Sequence, residues 1–321
     1  MALCAMMGTV TLTSCEGTLD DVFGEWSRPT KTETTPSIEE TPLTFEAVEA
    51  GTIQVYYSGS HTLPKPITYT KNGVSTSITA STDITVAAGD VVSFSSENSS
   101  VNDDATGWLN ILADHKIYVY GNVMSLINDE GDFSKDKTIS GDYALKYMLY
   151  GSENMYNHPD KKLVLPATTL SEGCYYGLFM GCYCLSEAPE LPATKLAPYC
   201  YFRMFRSCTA LTTAPELPAT TLAEKCYNQM FYNCTALTTA PELPATTLTD
   251  GCYYGLFYGC SKLSSVSCKA TSGINSTNLS FWLEYAGSDA TSPKLHVLSG
   301  HKEDGWIMPG SVDTWTIVDD L

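Results

Sequence analysis

The chain has 321 residues, 43% of them hydrophobic, with 36 acidic against 18 basic side chains and a net charge of −18. That length suits two domains better than one, and the apolar content excludes a disordered chain. The negative charge repels phosphate backbones and anionic lipid, which excludes nucleic acid and basic-patch membrane docking, and no apolar run is long enough to span a bilayer.

Residues 1–15 read as a lipoprotein signal segment. Met1 to Ser14 is uncharged and mostly small or apolar, and Leu12-Thr13-Ser14-Cys15 resembles a bacterial lipobox. Its lipid would be carried on Cys15. No positive stretch precedes it. Residues 16–42 read as a flexible tether: Glu16 to Asp21 is acidic, as in lipoproteins sent to the outer surface, and Ser27 to Pro42 is rich in Thr, Pro and charge without periodicity.

Residues 43–122 are β-rich. Strands are expected over Thr52 to Tyr57, Ile67 to Thr70, Ser77 to Val86, Val91 to Phe94 and Ile117 to Tyr120, with turns at Lys71-Asn72-Gly73 and Ala88-Gly89-Asp90. Short strands at close spacing predict a small β-sandwich.

Residues 123–270 hold an internal repeat. Leu-Pro-Ala-Thr begins at Leu165, Leu191, Leu217 and Leu243, each 26 residues after the last. Its columns are Cys174, Cys200, Cys226 and Cys252; Phe179, Phe205, Phe231 and Phe257; Cys182, Cys208, Cys234 and Cys260; and Leu185, Leu211, Leu237 and Leu263, completed by Ala188, Ala214, Ala240 and Val266. A worn copy lies upstream at Ala144 to Ser152. Cys226, Met230 and Cys234 fall at i, i+4 and i+8, the inner stripe of a short helix. Pro241 and Pro244 limit the following extended stretch to a very short strand. A short helix plus a short strand, repeated every 26 residues, predicts an α+β leucine-rich-repeat solenoid. Residues 271–321 would be its C-terminal cap, with a helical turn over Asn278 to Ala286 and closing strands at Lys294 to Ser299 and Trp315 to Val318.

The units LPATTLSEGCYYGLFMGC and LPATTLAEKCYNQMFYNC resemble BspA-type leucine-rich repeats of surface lipoproteins from anaerobic gut bacteria. Pro42 to Val48, the turn Ala87 to Asp90 and the run Tyr118 to Asn128 resemble the β-rich lead-in of that group, so the likeness covers about residues 42 to 270. The resemblance implies display on the outer membrane and roles in adhesion or ligand capture.

The column cysteines read as buried free thiols forming a core ladder, in preference to disulfides or metal ligands. Tyr175, Tyr201, Tyr227 and Tyr253, with Tyr176, Phe202 and Tyr254 beside them, form aromatic rows that could stack on sugar rings or grip a protein, or pack coil against coil. Glu190, Glu216 and Glu242 read as solvated carboxylates in preference to a calcium site. The five histidines share no column, and no GxSxG, HExxH, P-loop or dinucleotide fingerprint is present. The expectation is therefore a non-enzymatic surface protein without metal or cofactor. Its partner would be a host or neighbouring-cell protein, alternatively a glycan captured for nutrition, alternatively a structural surface coat.

Overall fold

The computed structural model describes residues 37–321, apart from 60, 104, 106, 130 and 309–314. The lipobox, Cys15 and the tether up to residue 36 lie outside the described residues.

Eight strands come first: β1 Leu43–Ala47, β2 Gly51–Tyr57, β3 Ile67–Lys71, β4 Val74–Ile78, β5 Thr82–Val86, β6 Val91–Ser96, β7 Leu109–Ala113 and β8 Ile117–Asn122. Three short strands follow, β9 Met155–Asn157, β10 Leu163–Val164 and β11 Ser265–Cys268; the helix α1 Ser276–Leu279 and the strands β12 Lys294–Val297 and β13 Thr316–Asp319 close the order. One sheet runs β10-β8-β1-β6-β3-β4 with β9 also on β8, a second runs β5-β2-β7, and a third runs β11-β12-β13.

Alternation explains the first two sheets. Ile53 and Val55 of β2, Ile84 and Val86 of β5, and Val92 and Phe94 of β6 turn inward while their neighbours face out. Phe45 and Phe94 meet edge to face at 5.5 Å across the β1–β6 pair. Asn72 (φ 48°) and Gly73 (φ 84°) both take the left-handed conformation, the two-residue turn that suits the twist of the β3–β4 hairpin. The strand expected over Ser77 to Val86 is two strands, broken at Thr79 to Ser81. Strands β1 and β7 were not foreseen.

The β-rich region continues into the repeats. Strands β9 and β10 both pair in parallel with β8, so one sheet crosses residue 122. Buried Asn102 bridges the two regions: its amide receives the Leu109 N–H and donates to the Leu109 carbonyl at 3.2 Å and the Lys146 carbonyl at 2.5 Å. Residues 36–321 cluster as one unit.

The repeats correct the expected fold class. Among the described residues 26% are in strands and 3% in helix, in three small sheets, and the short-helix-plus-strand coil of an α+β leucine-rich-repeat solenoid is not formed there. In place of the helix, each unit carries a string of four-residue turns. Left-handed residues recur every fourth position: Gly173, Gly177 and Gly181; Tyr199, Arg203 and Ser207; Lys225, Gln229 and Asn233; Gly251, Gly255 and Gly259. A left-handed residue in each turn forbids an α-helix.

The backbone is satisfied in two alternating ways. Gly173, Tyr175, Gly177, Phe179 and Gly181 donate their N–H to carbonyls of Pro198, Cys200, Phe202, Met204 and Arg206 in the next unit, at 2.8–3.0 Å. The residues between them, Tyr176, Leu178, Met180 and Cys182, donate to carbonyls three residues back within their own unit, at 2.9–3.2 Å. No donor is orphaned along this run, which is why a helix is not needed. The worn copy joins the same ladder: Leu145, Tyr147 and Leu149 donate to Cys174, Tyr176 and Leu178 at 2.9–3.1 Å. The proline-limited strand shrinks to single parallel bridges, Glu187 to Thr213 and Thr213 to Thr239. Beyond the last full unit the expected helical turn is only Ser276–Leu279, followed by turns in which Phe281 and Tyr285 are left-handed.

Gly177 shows what the turn demands. Its φ is 58°, and a Cβ there would lie 2.5 Å from the Tyr147 ring of the preceding unit. Gly177→Ala combines left-handed strain of about 1–2 kcal/mol with displacement of a packed ring, and should destabilise the protein by roughly 2–3 kcal/mol in a denaturant titration. An unchanged midpoint would mean that the turn does not need glycine.

Candidate functional site

The ladder sorts side chains into an inner and an outer set. Each four-residue turn points two consecutive residues inward: Cys226 with Tyr227, then Met230 with Phe231, all at most 1% exposed. The inner phenylalanines stack from unit to unit at 5.4–5.7 Å with ring planes within 9°. The tyrosines also stack from unit to unit, at 5.8–6.2 Å with ring planes within 22°.

This corrects the expected binding row. Tyr175, Tyr201, Tyr227 and Tyr253 are core residues, so no ligand can reach them in the folded protein. The hydroxyls of Tyr175, Tyr201 and Tyr253 are buried without a hydrogen-bond partner. Tyr201→Phe removes such a group and keeps the ring, so it should leave thermal stability unchanged or raise it by about 1 kcal/mol. A loss of stability would show that the hydroxyl has a use.

The cysteine columns are free thiols in the core. Cys182, Cys208, Cys234 and Cys260 donate S–H to carbonyls of the preceding unit (Leu149, Phe179, Phe205 and Phe231) at 3.0–3.1 Å. Cysteine there is a small apolar filler with one weak donor. Burial pushes the thiols up, to about 12 at Cys174, Cys260 and Cys268. Nine of the ten described cysteines are buried, and Cys184 is half-exposed. A thiol reagent should therefore find Cys184 readily and the other nine only after denaturation. Fast native labelling of the nine would contradict the packing.

The outer set makes the site. Tyr176 stacks on Phe202 at 4.6 Å, Asn228 follows, and Tyr254 meets Phe281 at 5.7 Å. Tyr176, Phe202 and Tyr254 are the residues expected beside the tyrosine row, and they are half-buried on the outer side, whereas Asn228 is buried. Phe202 and Tyr254 line an open groove of about 550 Å³ with Tyr199, Arg203, Lys225, Asn228, Gln229 and Asp250. Left-handed turns place Tyr199, Arg203, Lys225 and Gln229 at its wall. The Lys225 ammonium donates to Glu224 at 2.8 Å and to the Tyr199 hydroxyl at 3.0 Å, which holds it above the usual lysine range, and lies 3.6 Å from Asp250. Asn228 donates to the Gly251 carbonyl at 3.1 Å.

Compared with family models, with curated proteins and with solved structures, the chain matches none. Its own geometry must carry the functional reading.

A larger hollow of about 710 Å³ lies along Asn157 to Pro166 and Glu187 to Pro192. Its cations are already paired: Lys161 with Glu46 at 2.9 Å, Lys162 with Glu190 at 3.5 Å and Lys137 with Glu39 at 3.7 Å. Prolines and paired charges offer a ligand little, so the smaller aromatic groove is the better candidate. The acidic column is not gathered, since Glu190 pairs with Lys162 and Glu242 with Lys269. The histidines stay apart: His115 pairs with Asp114, His158 with Glu46, His296 with Asp320 and His301 with Asp304. Among the described residues no helix is long and apolar enough to cross a membrane.

Arg203, Lys225, Gln229 and Asp250 were not singled out in the sequence. Arg203, Gln229 and Lys225 share columns with glycines and with unlike side chains, so no repeated residue type marks them, whereas Asp250 belongs to a largely acidic column with Glu172 and Glu224. The available signal was the glycine spacing at 173, 177 and 181, which fixes the outward positions of every other unit.

Proposed function

We propose that the chain is a non-enzymatic, lipid-anchored surface protein whose repeats capture a glycan in the groove between Phe202 and Tyr254. The observation that carries this reading is the groove's chemistry: outward aromatic rings beside amides and charged groups in one open hollow. Sugar rings stack their C–H faces on aromatics while their hydroxyls bond to amides and charged side chains. An open groove admits a chain rather than enclosing a small molecule. The five histidines are dispersed, each beside a different acid, and none lines the groove, which suits binding there better than proton transfer. Attachment through Cys15 to an outer membrane follows from the lipobox and the acidic residues after it.

Adhesion to a protein, the first expectation from the sequence, becomes the second reading. It draws on Phe281 and Tyr285, which are 52% and 47% exposed at the end of the ladder. Two rings form a small patch, so the groove is preferred.

A glycan array probed with the full chain and with Phe202→Ala/Tyr254→Ala tests the reading. Wild type should be retained on a defined set of sugars, and the double variant, with wild-type secondary structure, should lose that retention at least tenfold. Retention of no glycan by wild type would sink the proposal.

A further inference from the structure

We propose that the glycan is anionic, bearing carboxylate or sulfate-ester groups, and that Arg203 and Arg206 read its charge; this rests on the glycan reading above. The two arginines stand three residues apart and are half-buried; Arg203 lines the groove, and Arg206 lies beside it through Gln229. Both guanidiniums are drawn to one oxygen: Arg203 Nε donates to Gln229 Oε1 at 2.8 Å, and Arg206 Nη1 donates to the same atom. Arg203 lies over the Phe202 ring at 4.8 Å and Arg206 over the Tyr232 ring at 4.1 Å. Tyr232 in turn stacks on Tyr258 at 4.2 Å.

Charge bookkeeping around this pair is unusual for the molecule. Acids outnumber bases 36 to 18, and lysines 71, 161, 162, 225 and 269 each sit against a carboxylate. Among the described residues, no carboxylate lies within 4.0 Å of either repeat arginine. One neutral amide oxygen does not cancel two neighbouring positive charges. Burial and the charge of Arg203 both bear on Arg206, holding it below the usual arginine range. A bound anion would relieve that repulsion, and each guanidinium keeps N–H donors for a bidentate contact. Stacking on rings limits the freedom lost on binding.

The neighbouring acids oppose this only in part. Glu224 and Asp250 share Lys225, at 2.8 and 3.6 Å, which leaves one negative charge against the two arginines. The net charge of −18 works against unspecific retention of polyanions, so a polyanion that binds must do so through a local site.

Matched neutral, carboxylated and sulfated oligosaccharides on one array decide the matter, with wild type, Arg203→Gln/Arg206→Gln and Arg203→Lys/Arg206→Lys as probes. The account expects an anionic series to be retained at least tenfold more than its neutral counterpart, and the series retained identifies carboxylate or sulfate. The glutamine variant should lose the preference at an unchanged melting temperature, and the lysine variant should keep only part of it. Equal retention of neutral and anionic sugars, or a preference the glutamine variant keeps, overturns the arginine assignment while the glycan reading stands. Retention of no saccharide of any series overturns the glycan reading itself, and the anion with it.

Discussion

Replacing Tyr201 and Tyr227 together with serine is expected to unfold the repeats. Both rings are 1% exposed and stack on each other at 5.8 Å with planes 3° apart. Each truncation removes a large buried ring and leaves a cavity between units that cannot close without breaking the backbone bonds of the ladder, at a cost of about 3–5 kcal/mol. Loss of the partnerless Tyr201 hydroxyl offsets at most about 1 kcal/mol of this. The balance is roughly 5 kcal/mol or more, comparable with the whole stability of an ordinary domain at about 5–15 kcal/mol. Thermal melting followed by circular dichroism should show a fall of roughly 10 °C or more, or no folded baseline. A melt like that of wild type would mean that these tyrosines are exposed and that the inner set is misassigned.

Mild alkali should unfold the protein. Nine thiols are buried, and burial raises each above its ordinary value, to about 11 at Cys252, about 12 at Cys174, Cys260 and Cys268, and upward at the rest. Below the ordinary thiol range both states hold the proton, so stability is complete there. As pH rises past about 9, the unfolded chain releases protons that the folded chain retains, and stability falls with every further step. At pH ~10 each buried thiol disfavours the fold by about 1–2 kcal/mol, and the nine together by about 10–15 kcal/mol. Burial likewise raises Tyr175, Tyr201, Tyr227 and Tyr253, which add to the slope above pH ~10. Circular dichroism under reducing conditions should show cooperative loss of structure between pH ~9.5 and ~10.5. Native signal persisting above pH ~11.5 would rule out a buried thiol ladder.

The sequence carried more of the strands than of the turns. The runs Ile67–Lys71 and Val91–Ser96 alternate or carry β-branched residues, and Asn72-Gly73 marks its hairpin with one of the few residue pairs that favour such a turn. The repeat period was equally plain, because the same columns return every 26 residues. What fills the period was ambiguous. Apolar residues at 226, 230 and 234 fit a helix of 3.6 residues per turn almost as well as a turn string of four. The helix places Tyr227 about 100° from Cys226 and so at the margin of the core, whereas the four-residue turn points both inward. That single difference moved the tyrosine row from the surface to the interior. Glycines at 173, 177 and 181, and again at 251, 255 and 259, argue against a helix and for left-handed turns. Tyr176, Phe202 and Tyr254 were legible as candidate site residues because they were judged by their neighbours' column. Arg203 and Arg206 were not, because a charge without a partner is a fact of three-dimensional packing.

The most direct test of a binding groove on the outer face is isothermal titration of an array-identified oligosaccharide into wild type and into Phe202→Ala/Tyr254→Ala. Both rings are half-buried at the rim of the groove, so the variant should keep its circular dichroism spectrum. Loss of two stacking platforms, at about 1–2 kcal/mol each, predicts a Kd raised at least tenfold. An unchanged Kd in a folded variant would contradict the account, since the sugar would then be held elsewhere on the molecule.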